Sequence, residues 1–456
     1  MFLDPKTFRA YDVRAIYPTQ LDEDGIRSTG KAYVKFLQEQ NPGKKLSIVV
    51  GRDIRLSGIT MMEAVVDGIT SMGADVIDVG ILTTPDFYFA VSKLGYDGGL
   101  QVTASHNPKE YNGVKVVGPG AMPIGLQNGL DEIRDMAIAG NFSEAAERGN
   151  VISYPGVAEE CAQHALKFFD HQIRPLKVVV DTANSVGSID IEALFAHLPC
   201  ELVRLNWELD GNFPSHPADP LDDHNNLQLQ NKVREVGADL GIAIDGDADR
   251  YFFVDETGKT VDQSIIRGIL AQKALEMNPG AKILYDIRPG KITRDMIVAA
   301  GGVPGVTPVG HTKIKLQAIQ EGAPFAGESS GHFFFKTEYG MFETTLIVTL
   351  VILDYLSKEN TTFSERIKPY QKYFNSGEIN SKVSDIPSKL EEIKKLFEGE
   401  CTINTLDGYY FECSEYWVSV RSSNTEPLLR LIVEAPRKEK MEEIRDKALE
   451  VIQSGI

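Results

Sequence analysis

The sequence has little cysteine and no sign of a secretory leader. Four cysteines occur in 456 residues, Cys161, Cys200, Cys401 and Cys413, and none of them forms a C-x-x-C pair. This scarcity argues against a disulfide framework or a zinc site and is typical of a reducing compartment. Residues 1–6 lack the basic and apolar regions of a signal peptide. We therefore expect a cytoplasmic protein.

Long apolar runs and excess positive charge are missing as well. The longest strongly apolar stretch, 346–353, is far shorter than the roughly 20 residues that span a bilayer, so we interpret it as part of a buried helix ending near 355–357. The formal net charge is −18, from 47 Lys and Arg against 65 Asp and Glu. A field of that sign repels nucleic acids and anionic lipids, so we expect neither nucleic acid nor membrane as a partner.

A negatively charged protein that binds a phosphorylated substrate needs a locally positive cleft. Several basic residues lie within or beside stretches rich in glycine or hydroxyl groups: Arg14, Arg52, Lys115, Arg250, Arg421 and Arg430.

The length predicts several domains, because chains beyond about 250–300 residues usually divide their core. Three times an apolar, β-branched strand runs into a polar turn with Asp, followed by a helix-like segment: at 46–53, 177–181 and 282–286. This alternation predicts α/β units whose sheets are covered by helices on both faces. The last quarter predicts an α+β module, with helices over 388–397 and 438–452 and strands over 417–420 and 428–435.

Ser105 is a candidate nucleophile. It lies where an apolar strand, 99–103, meets a turn closed by Asn107 and Pro108. Ligands of α/β proteins bind at the carboxyl ends of strands, where this hydroxyl is expected. A serine in such a turn can also be only a turn or cap residue. The next strand, 111–115, brings Lys115 back toward it.

Asp245, Asp247 and Asp249 alternate in a turn between two apolar strands. Two unpaired charges 4 Å apart repel by about 4 kcal/mol at a partly buried site, so three converging carboxylates require a cation. Oxygen ligands favour Mg²⁺. A purely structural acidic turn is the alternative.

A calcium-binding EF-hand loop is a second interpretation of the same turn, since Glu256 stands at its twelfth position. Arg250 replaces the glycine that such a loop needs at position six, and strands rather than helices flank it. We therefore set the EF-hand aside.

The stretch 327–332 offers groups suited to a sugar. Glu328 can accept hydrogen bonds from two neighbouring sugar hydroxyls, Ser330 can donate or accept one, and His332 can exchange a proton near neutral pH. An ordinary loop followed by a core histidine would have the same sequence.

The stretch 421–427 joins two predicted strands and combines Arg421 with several hydroxyl and amide side chains. Phosphate binding needs this combination of bidentate arginine bonds and neutral donors. Arg430 follows on the second strand and could complete the site. A solvated hairpin tip is the alternative.

These four stretches, in this order, resemble the α-D-phosphohexomutase family, most closely its bacterial phosphomannomutase/phosphoglucomutase members. The resemblance runs almost end to end and includes the stretches 8–14, 51–53 and 307–311. It implies three similar α/β domains and a C-terminal α+β domain with a TATA-binding-protein-like fold around a central cleft. Polar and glycine-rich clusters suggest the boundaries of a phosphoserine domain, a metal-binding domain, a sugar-binding domain and a phosphate-binding domain: 1–150, 151–254, 255–368 and 369–456.

The resemblance also implies roles for single residues. Ser105 matches the serine that is phosphorylated, and Ser105, Asp245, Asp247 and Asp249 match the Mg²⁺ site. Lys115 and His332 match proposed acid/base groups, and Arg250 matches a cleft residue that counters charge. The remaining matches are substrate-binding residues: Tyr11, Arg14, His311, Glu328, Ser330, Arg421, Ser423, Asn424 and Thr425. Arg430 joins this set from its position alone.

The implied reaction moves a phosphoryl group reversibly between the 1- and 6-positions of a hexose phosphate, with mannose or glucose as the sugar. It passes through phosphoserine and a hexose 1,6-bisphosphate, which also serves as activator. A phosphoglucosamine mutase, a phosphatase and a non-catalytic phosphosugar-binding protein are the alternatives. Three positions depart from the family pattern, and the third bears on sugar preference: Ala15, Ser185 and the turn 339–342.

Overall fold

The structure, a computed structural model, describes residues 3–383, 385–422 and 428–454. The chain forms two compact units, each made of two separate stretches. The first comprises Met1–Val261 and Ser330–Ser364, and the second comprises Asp262–Ser329 and Glu365–Ile456. Among the described residues, no helix combines the length and the apolar character needed to cross a membrane.

The first unit begins with a six-stranded sheet. Its strands are β1 (Asp12–Ile16), β2 (Ser47–Arg52), β3 (Asp75–Ile81), β4 (Gly98–Val102), β5 (Tyr111–Val117) and β6 (Val151–Ser153). They lie in the order β1-β5-β4-β2-β3-β6, with β2 parallel to β3 and β4, and β5 antiparallel to β1 and β4. The helices of this region are α1 (Glu23–Gln40), α2 (Gly58–Ser71), α3 (Thr84–Leu94) and α4 (Leu130–Ala139).

Helix α3 shows how the sequence sets an element's ends. The Thr83 side chain accepts a hydrogen bond from the Asp86 amide, and Pro85 lies in the first turn. The helix ends at Leu94, and the next residue, Gly95, has a left-handed backbone conformation, as glycine commonly does after a helix. The amino-terminal end of α3 is thereby fixed.

A four-stranded sheet follows in the same unit. Its strands are β7 (Lys177–Asp181), β8 (Glu201–Leu205), β9 (Leu240–Ile244) and β10 (Tyr251–Asp255), in the order β10-β9-β7-β8. The helices of this region are α5 (Val157–Lys167), α6 (Gly187–Phe195) and α7 (Leu227–Val236). All residues of β9 and β10 are buried, as expected for a sheet covered on both faces.

The third region is divided between the units. The second unit contains α8 (Gln263–Met277), β11 (Lys282–Asp286), α9 (Lys291–Ala299), β12 (Val303–Thr307), α10 (His311–Glu321) and β13 (Phe325–Gly327). Strand β11 pairs in parallel with β12 and β13. The first unit contains the antiparallel pair β14 (Phe333–Thr337) and β15 (Gly340–Glu343), followed by α11 (Thr345–Ser357). The buried helix predicted around 346–353 is confirmed as α11, whose residues are nearly all buried.

The last region begins with α12 (Phe363–Ile367). It continues in the second unit as an α+β module, in which two helices pack on one sheet. Its strands are β16 (Phe374–Asn375), β17 (Ile379–Lys382), β18 (Thr402–Asn404), β19 (Tyr409–Glu412), β20 (Trp417–Ser422) and β21 (Leu428–Ala435). The order β16-β21-β20-β19-β18 is antiparallel, and β17 also pairs with β21. Helices α13 (Ile386–Phe397) and α14 (Lys438–Gln453) bury apolar side chains, including Ile393 and Ile444, in the core of this sheet.

Two of the cysteines contradict the prediction drawn from their spacing. Cys401 and Cys413 form a disulfide, with Cα atoms 4.3 Å apart, whereas Cys161 and Cys200 are free thiols. The cause is strand pairing, since Cys401 and Cys413 adjoin the paired residues Thr402 and Glu412 of β18 and β19. A spacing of 12 residues gave no cysteine motif, but the hairpin places the two side chains opposite each other.

Candidate active site

Ser105 lies in the turn that follows β4, and the fold holds its hydroxyl in a defined place. Its φ of 51° is in the left-handed region, which serine seldom occupies. The side chain is buried, and Oγ donates a 3.2 Å hydrogen bond to Asp245 Oδ2. His106 Nδ1 also lies 3.2 Å from this oxygen. The predicted nucleophile therefore contacts the predicted metal cluster.

Arg55, which the sequence does not indicate as a site residue, stabilises the turn that contains Ser105 by hydrogen bonds to its main chain. Its fully buried guanidinium donates hydrogen bonds of 2.6–2.9 Å to four main-chain carbonyl oxygens: those of Ser105, Asn107, Pro108 and Tyr111. Its Nε lies 3.2 Å from Asp53 Oδ2, which also accepts a 2.7 Å bond from the Thr103 hydroxyl. Burial lowers the pKa of Arg55, and the Asp53 charge opposes that effect. The residues next to Arg55 in the sequence do not indicate this role, because the carbonyl groups that it binds lie about fifty positions away.

Asp245, Asp247 and Asp249 are brought together in the loop between β9 and β10. All three side chains are buried, and one oxygen of each lies within 4.8 Å of the others. The loop approaches the serine turn closely at Gly246, where any side chain would clash with the Ser105 carbonyl oxygen. A glycine is therefore required between the first two aspartates.

The aspartate cluster has the chemistry of a cation site. Burial raises the pKa of Asp245 well above its usual value, and the charges of Asp249 and Asp247 raise it further. Asp247 Oδ1 is buried and accepts no hydrogen bond from the described residues. Three converging carboxylates with an unsatisfied oxygen fit a divalent metal ion with oxygen ligands.

Lys115, on β5, points its ammonium group into this cluster. Its Nζ lies 2.7 Å from Asp247 Oδ2 and 2.5 Å from Asp249 Oδ2, and the side chain is buried. Burial alone would lower the pKa of Lys115, but the two carboxylates hold it well above its usual value. Lys115 is therefore positively charged at neutral pH.

Two further residues of the cluster were missed. Thr84, at the start of α3, places its hydroxyl 2.6 Å from Asp247 Oδ2, and its amide donates to the Asp247 carbonyl at 2.9 Å. Glu343, at the end of β15, is fully buried, and one of its oxygens lies within 4.8 Å of ligand atoms of Asp249 and His332. Neither stands in a recognisable motif, so only the fold reveals them.

His332, Arg250 and Ser330 form a chain of contacts beside the aspartates. His332 Nε2 lies 3.2 Å from Asp249 Oδ1 and accepts a 3.3 Å hydrogen bond from Arg250 Nε. The Ser330 hydroxyl lies 3.1 Å from His332 Nδ1. Arg250 Nε also lies 3.8 Å from Asp245 and 3.7 Å from Asp249. The fold thus brings these three predicted residues to the aspartate cluster.

Arg14 and Tyr11 lie at the first strand. Arg14, on β1, donates 2.8 Å hydrogen bonds to Asp12 Oδ2 and to Asn107 Oδ1 in the serine turn. Burial would lower the pKa of Arg14, but the charge of Asp12, with those of Asp247 and Asp249, raises it above its usual value. Tyr11 lies immediately before β1 and is partly exposed.

Glu328 and His311 belong to the second unit. Glu328 follows β13 and is buried, and its Oε1 accepts a 2.7 Å hydrogen bond from the Gly310 amide. His311 is the first residue of α10. The two residues therefore lie at neighbouring loops of one sheet edge, where α/β proteins commonly bind ligands.

Arg421 and Arg430 face each other across β20 and β21. Both guanidiniums pair with one carboxylate, since Arg421 lies 2.9 Å and Arg430 3.2 Å from the two oxygens of Glu378. Burial lowers the pKa of Arg421, and the charge of Arg288 lowers it further. Arg288 and Glu378 were both missed by the sequence reasoning. Three predicted residues of this loop, Ser423, Asn424 and Thr425, lie outside the described residues.

Comparison with known proteins identifies the family of the chain. Four models of the phosphoglucomutase/phosphomannomutase domains match in succession: the α/β/α domains I, II and III at residues 5–143, 159–258 and 262–373, and the C-terminal domain at residues 378–451. The chain belongs to the phosphoglucomutase/phosphomannomutase family of enzymes. The predicted fold class, three α/β domains followed by an α+β domain, is confirmed, and the prediction of a phosphohexomutase family is confirmed with it.

Relatives of this family resemble the chain over nearly its whole length. The phosphomannomutase of Vibrio cholerae is 36% identical over 453 residues, covering 97% of each chain. The phosphomannomutase of Methanocaldococcus jannaschii is also 36% identical, covering 98% of each. A solved structure of a phosphoglucomutase/phosphomannomutase family protein from Burkholderia thailandensis superposes with a TM-score of 0.89 at 31% identity, covering 100% of this chain and 99% of that one.

Proposed function

We propose that this protein interconverts hexose 1-phosphates and hexose 6-phosphates, with mannose, glucose or both as the sugar. The observation that carries the proposal is the contact between the Ser105 hydroxyl and Asp245 in a buried cluster of three aspartates. The relatives named phosphomannomutase support this substrate class.

The proposed reaction starts with a phosphoryl group on Ser105. The free hydroxyl oxygen of a bound hexose monophosphate forms a bond to phosphorus as the bond from phosphorus to Ser105 Oγ breaks, and the hydroxyl proton passes to a general base. The products of this step are a hexose 1,6-bisphosphate and an unmodified serine. The bisphosphate then turns over, Ser105 Oγ takes the other phosphoryl group, and the released sugar oxygen regains a proton.

Lys115, Arg250 and His332 are the proposed catalytic groups around the serine. The positive charge of Lys115, held by Asp247 and Asp249, is suited to countering charge on the phosphoryl oxygens. Arg250 offers a second positive group in the same cluster. His332 and Lys115 are the proposed proton carriers, and the Ser330 hydroxyl fixes the His332 ring through Nδ1.

We propose Mg²⁺ as the metal, held by Asp245, Asp247, Asp249 and an oxygen on Ser105. When bound, the ion would stabilise negative charge on the group being transferred. The buried and unsatisfied Asp247 Oδ1 supports this assignment. The protein's own part is to hold three carboxylates within reach of one centre.

The second unit provides the proposed substrate contacts. Glu328, and Ser330 in the first unit, are the proposed contacts to sugar hydroxyls. His311, Tyr11 and Arg14 are further proposed substrate-binding residues. Arg421 and Arg430 bind the phosphate that is not transferred, with Arg288 as an added member and Ser423, Asn424 and Thr425 as further donors. Glu378 pairs with both guanidiniums, so a phosphate must compete with its carboxylate. The four segments 1–150, 151–254, 255–368 and 369–456 would divide these tasks.

A side-by-side kinetic assay tests the proposal. Mannose, glucose and glucosamine phosphates are compared with Mg²⁺ and glucose 1,6-bisphosphate as activator. We expect kcat/KM for mannose or glucose 1-phosphate to exceed that for the glucosamine ester at least tenfold. A preference for glucosamine phosphate would overturn the sugar assignment. If no ester were turned over, the alternative of a non-catalytic phosphosugar-binding protein would be favoured. The Ser105→Ala variant, prepared in the same way, is the control. Its lack of turnover would exclude a contaminating mutase as the source of the activity.

A further inference from the structure

The second unit contains a cavity of about 170 Å³ that the proposed reaction does not use. One side is formed by strands β18 and β19, through Thr402, Asn404, Tyr410 and Glu412. The other side is formed by the end of β11 and the start of α9, where Tyr285, Lys291 and Arg294 lie. Arg288 also reaches the lining. The cavity is thus bounded by polar and basic groups.

The charges around the cavity leave one cation uncompensated. Lys291 Nζ pairs with Glu412 Oε1 at 3.0 Å, and Arg288 pairs with Asp286. Arg294 is exposed and lines the cavity, and it forms no ion pair with a carboxylate of the described residues, although its charge contributes to lowering the pKa of Glu412. Since Glu412 is the acidic residue of the lining, the cavity has a net positive charge that favours an anion.

Two tyrosine hydroxyls also lack protein partners. Tyr285 and Tyr410 are mostly buried, yet neither hydroxyl forms a hydrogen bond with a described residue. Burial raises the pKa of Tyr285 to about 12 and that of Tyr410 above its usual value, so both remain O–H donors at neutral pH. Both hydroxyls are therefore available to water or to a ligand in the cavity.

We propose that this cavity binds a small phosphate-bearing anion. Charge-assisted bonds from arginine combined with neutral hydroxyl and amide donors are the set that phosphate oxygens require. Thr402 and the Asn404 side-chain amide add neutral donors to the two tyrosines. A water molecule needs roughly 10–15 Å³ of such volume, so a cavity of about 170 Å³ has room for a phosphate group.

The proposal goes beyond the proposed reaction and does not depend on it. Arg294 and Tyr410 belong to neither the aspartate cluster nor the pair Arg421 and Arg430. Arg288 is shared between the cavity and the proposed phosphate contacts, so the test avoids substituting it.

The test is isothermal titration of the full-length protein with inorganic phosphate at constant ionic strength. The Arg421→Ala background removes binding at the proposed substrate phosphate site. In this background we expect one phosphate to bind and Arg294→Ala to weaken it at least tenfold. Tyr410→Phe, which keeps the ring in place, should weaken it severalfold. Arg437→Ala, a control at an exposed arginine, should change nothing.

Each outcome decides the proposal. Weaker phosphate binding in both cavity variants, with the melting temperature unchanged, supports it. No binding in the Arg421→Ala background overturns it. Binding that neither Arg294→Ala nor Tyr410→Phe alters also overturns it, since the phosphate would then bind elsewhere as an adventitious ion only.

Discussion

Thr84 Oγ1 lies 2.6 Å from Asp247 Oδ2, joining the start of α3 to the aspartate loop 163 residues away in sequence. The same oxygen accepts a 3.4 Å hydrogen bond from Lys115 Nζ and lies 2.8 Å from Gln101 Oε1. A hydroxyl has one proton, and the charged carboxylate of Asp247 is the stronger acceptor. Thr84 therefore fixes the direction in which Asp247 points.

Thr84→Val is expected to weaken both turnover and metal binding. Valine keeps the shape of the buried side chain but removes the hydrogen bond to Asp247. Losing the group that orients a metal ligand typically costs about 10- to 100-fold in metal affinity or activity. We expect losses of that size in kcat and in Mg²⁺ affinity measured by isothermal titration. Thr84→Ser, which retains the hydroxyl, is the control and should preserve both. Equal defects in the two variants would exclude the hydrogen bond as the cause.

Arg55→Met is expected to destabilise the protein by about 3–5 kcal/mol, because it leaves the buried Asp53 charge without its partner. Urea unfolding monitored by fluorescence measures the change. Asp53→Asn combined with Arg55→Met removes both charges and should recover part of the loss. A double variant as unstable as the sum of the single ones would show that the ion pair is not the cause.

Much of the candidate site could be predicted from the sequence because its motifs are local. Ser105, the alternating aspartates and Glu328 each follow a strand directly, so a short window contains both the strand and the polar group. Arg55 and Thr84 were missed for the opposite reason. Their partners are about 50 and 163 residues distant, and a buried arginine or a helix-start threonine gives no sign of such contacts.

The prediction about cysteines failed for a related reason. A hairpin pairs residues by strand register, and Cys401 and Cys413 adjoin a register pair that no cysteine motif describes. The sequence predicts the strands 417–420 and 428–435 but not β18 and β19, so it does not indicate the hairpin that joins the two cysteines. The catalytic and binding roles assigned to the site residues stay predictions.

Glu434 is expected to make the stability of the protein depend on pH. It is buried on β21 and accepts hydrogen bonds from the Gly290 and Lys291 amides at 3.1 and 3.0 Å. Burial raises its pKa from 4.5 to about 7. The folded state therefore holds a proton that the unfolded chain releases, so stability is lost as pH rises from 4.5 to about 7.

The loss should reach roughly 3 kcal/mol, at 1.36 kcal/mol per pKa unit. Glu434→Gln removes this titration. The melting temperature of the wild type, relative to that of Glu434→Gln, should fall between pH 5 and pH 7 and then level off. A difference that stays constant with pH would contradict the raised pKa.

Arg421→Ala and Glu378→Gln are expected to change KM in opposite directions. Losing a charge-assisted hydrogen bond costs about 1.5–3 kcal/mol, so Arg421→Ala should raise KM roughly 10- to 100-fold with little change in kcat. Glu378→Gln removes the carboxylate that competes with phosphate for Arg421 and Arg430, and should lower KM. Steady-state kinetics with Arg437→Ala as control measures both. An unchanged KM in Arg421→Ala would remove this residue from the phosphate site.

The most direct measurement is peptide mass spectrometry of the full-length protein after incubation with glucose 1,6-bisphosphate and Mg²⁺. We expect one phosphoryl group, carried by Ser105, its loss on addition of hexose monophosphate without bisphosphate, and nearly complete loss of mutase turnover in Ser105→Ala. Phosphate on another residue, or full turnover in Ser105→Ala, would contradict a covalent phosphoserine mechanism.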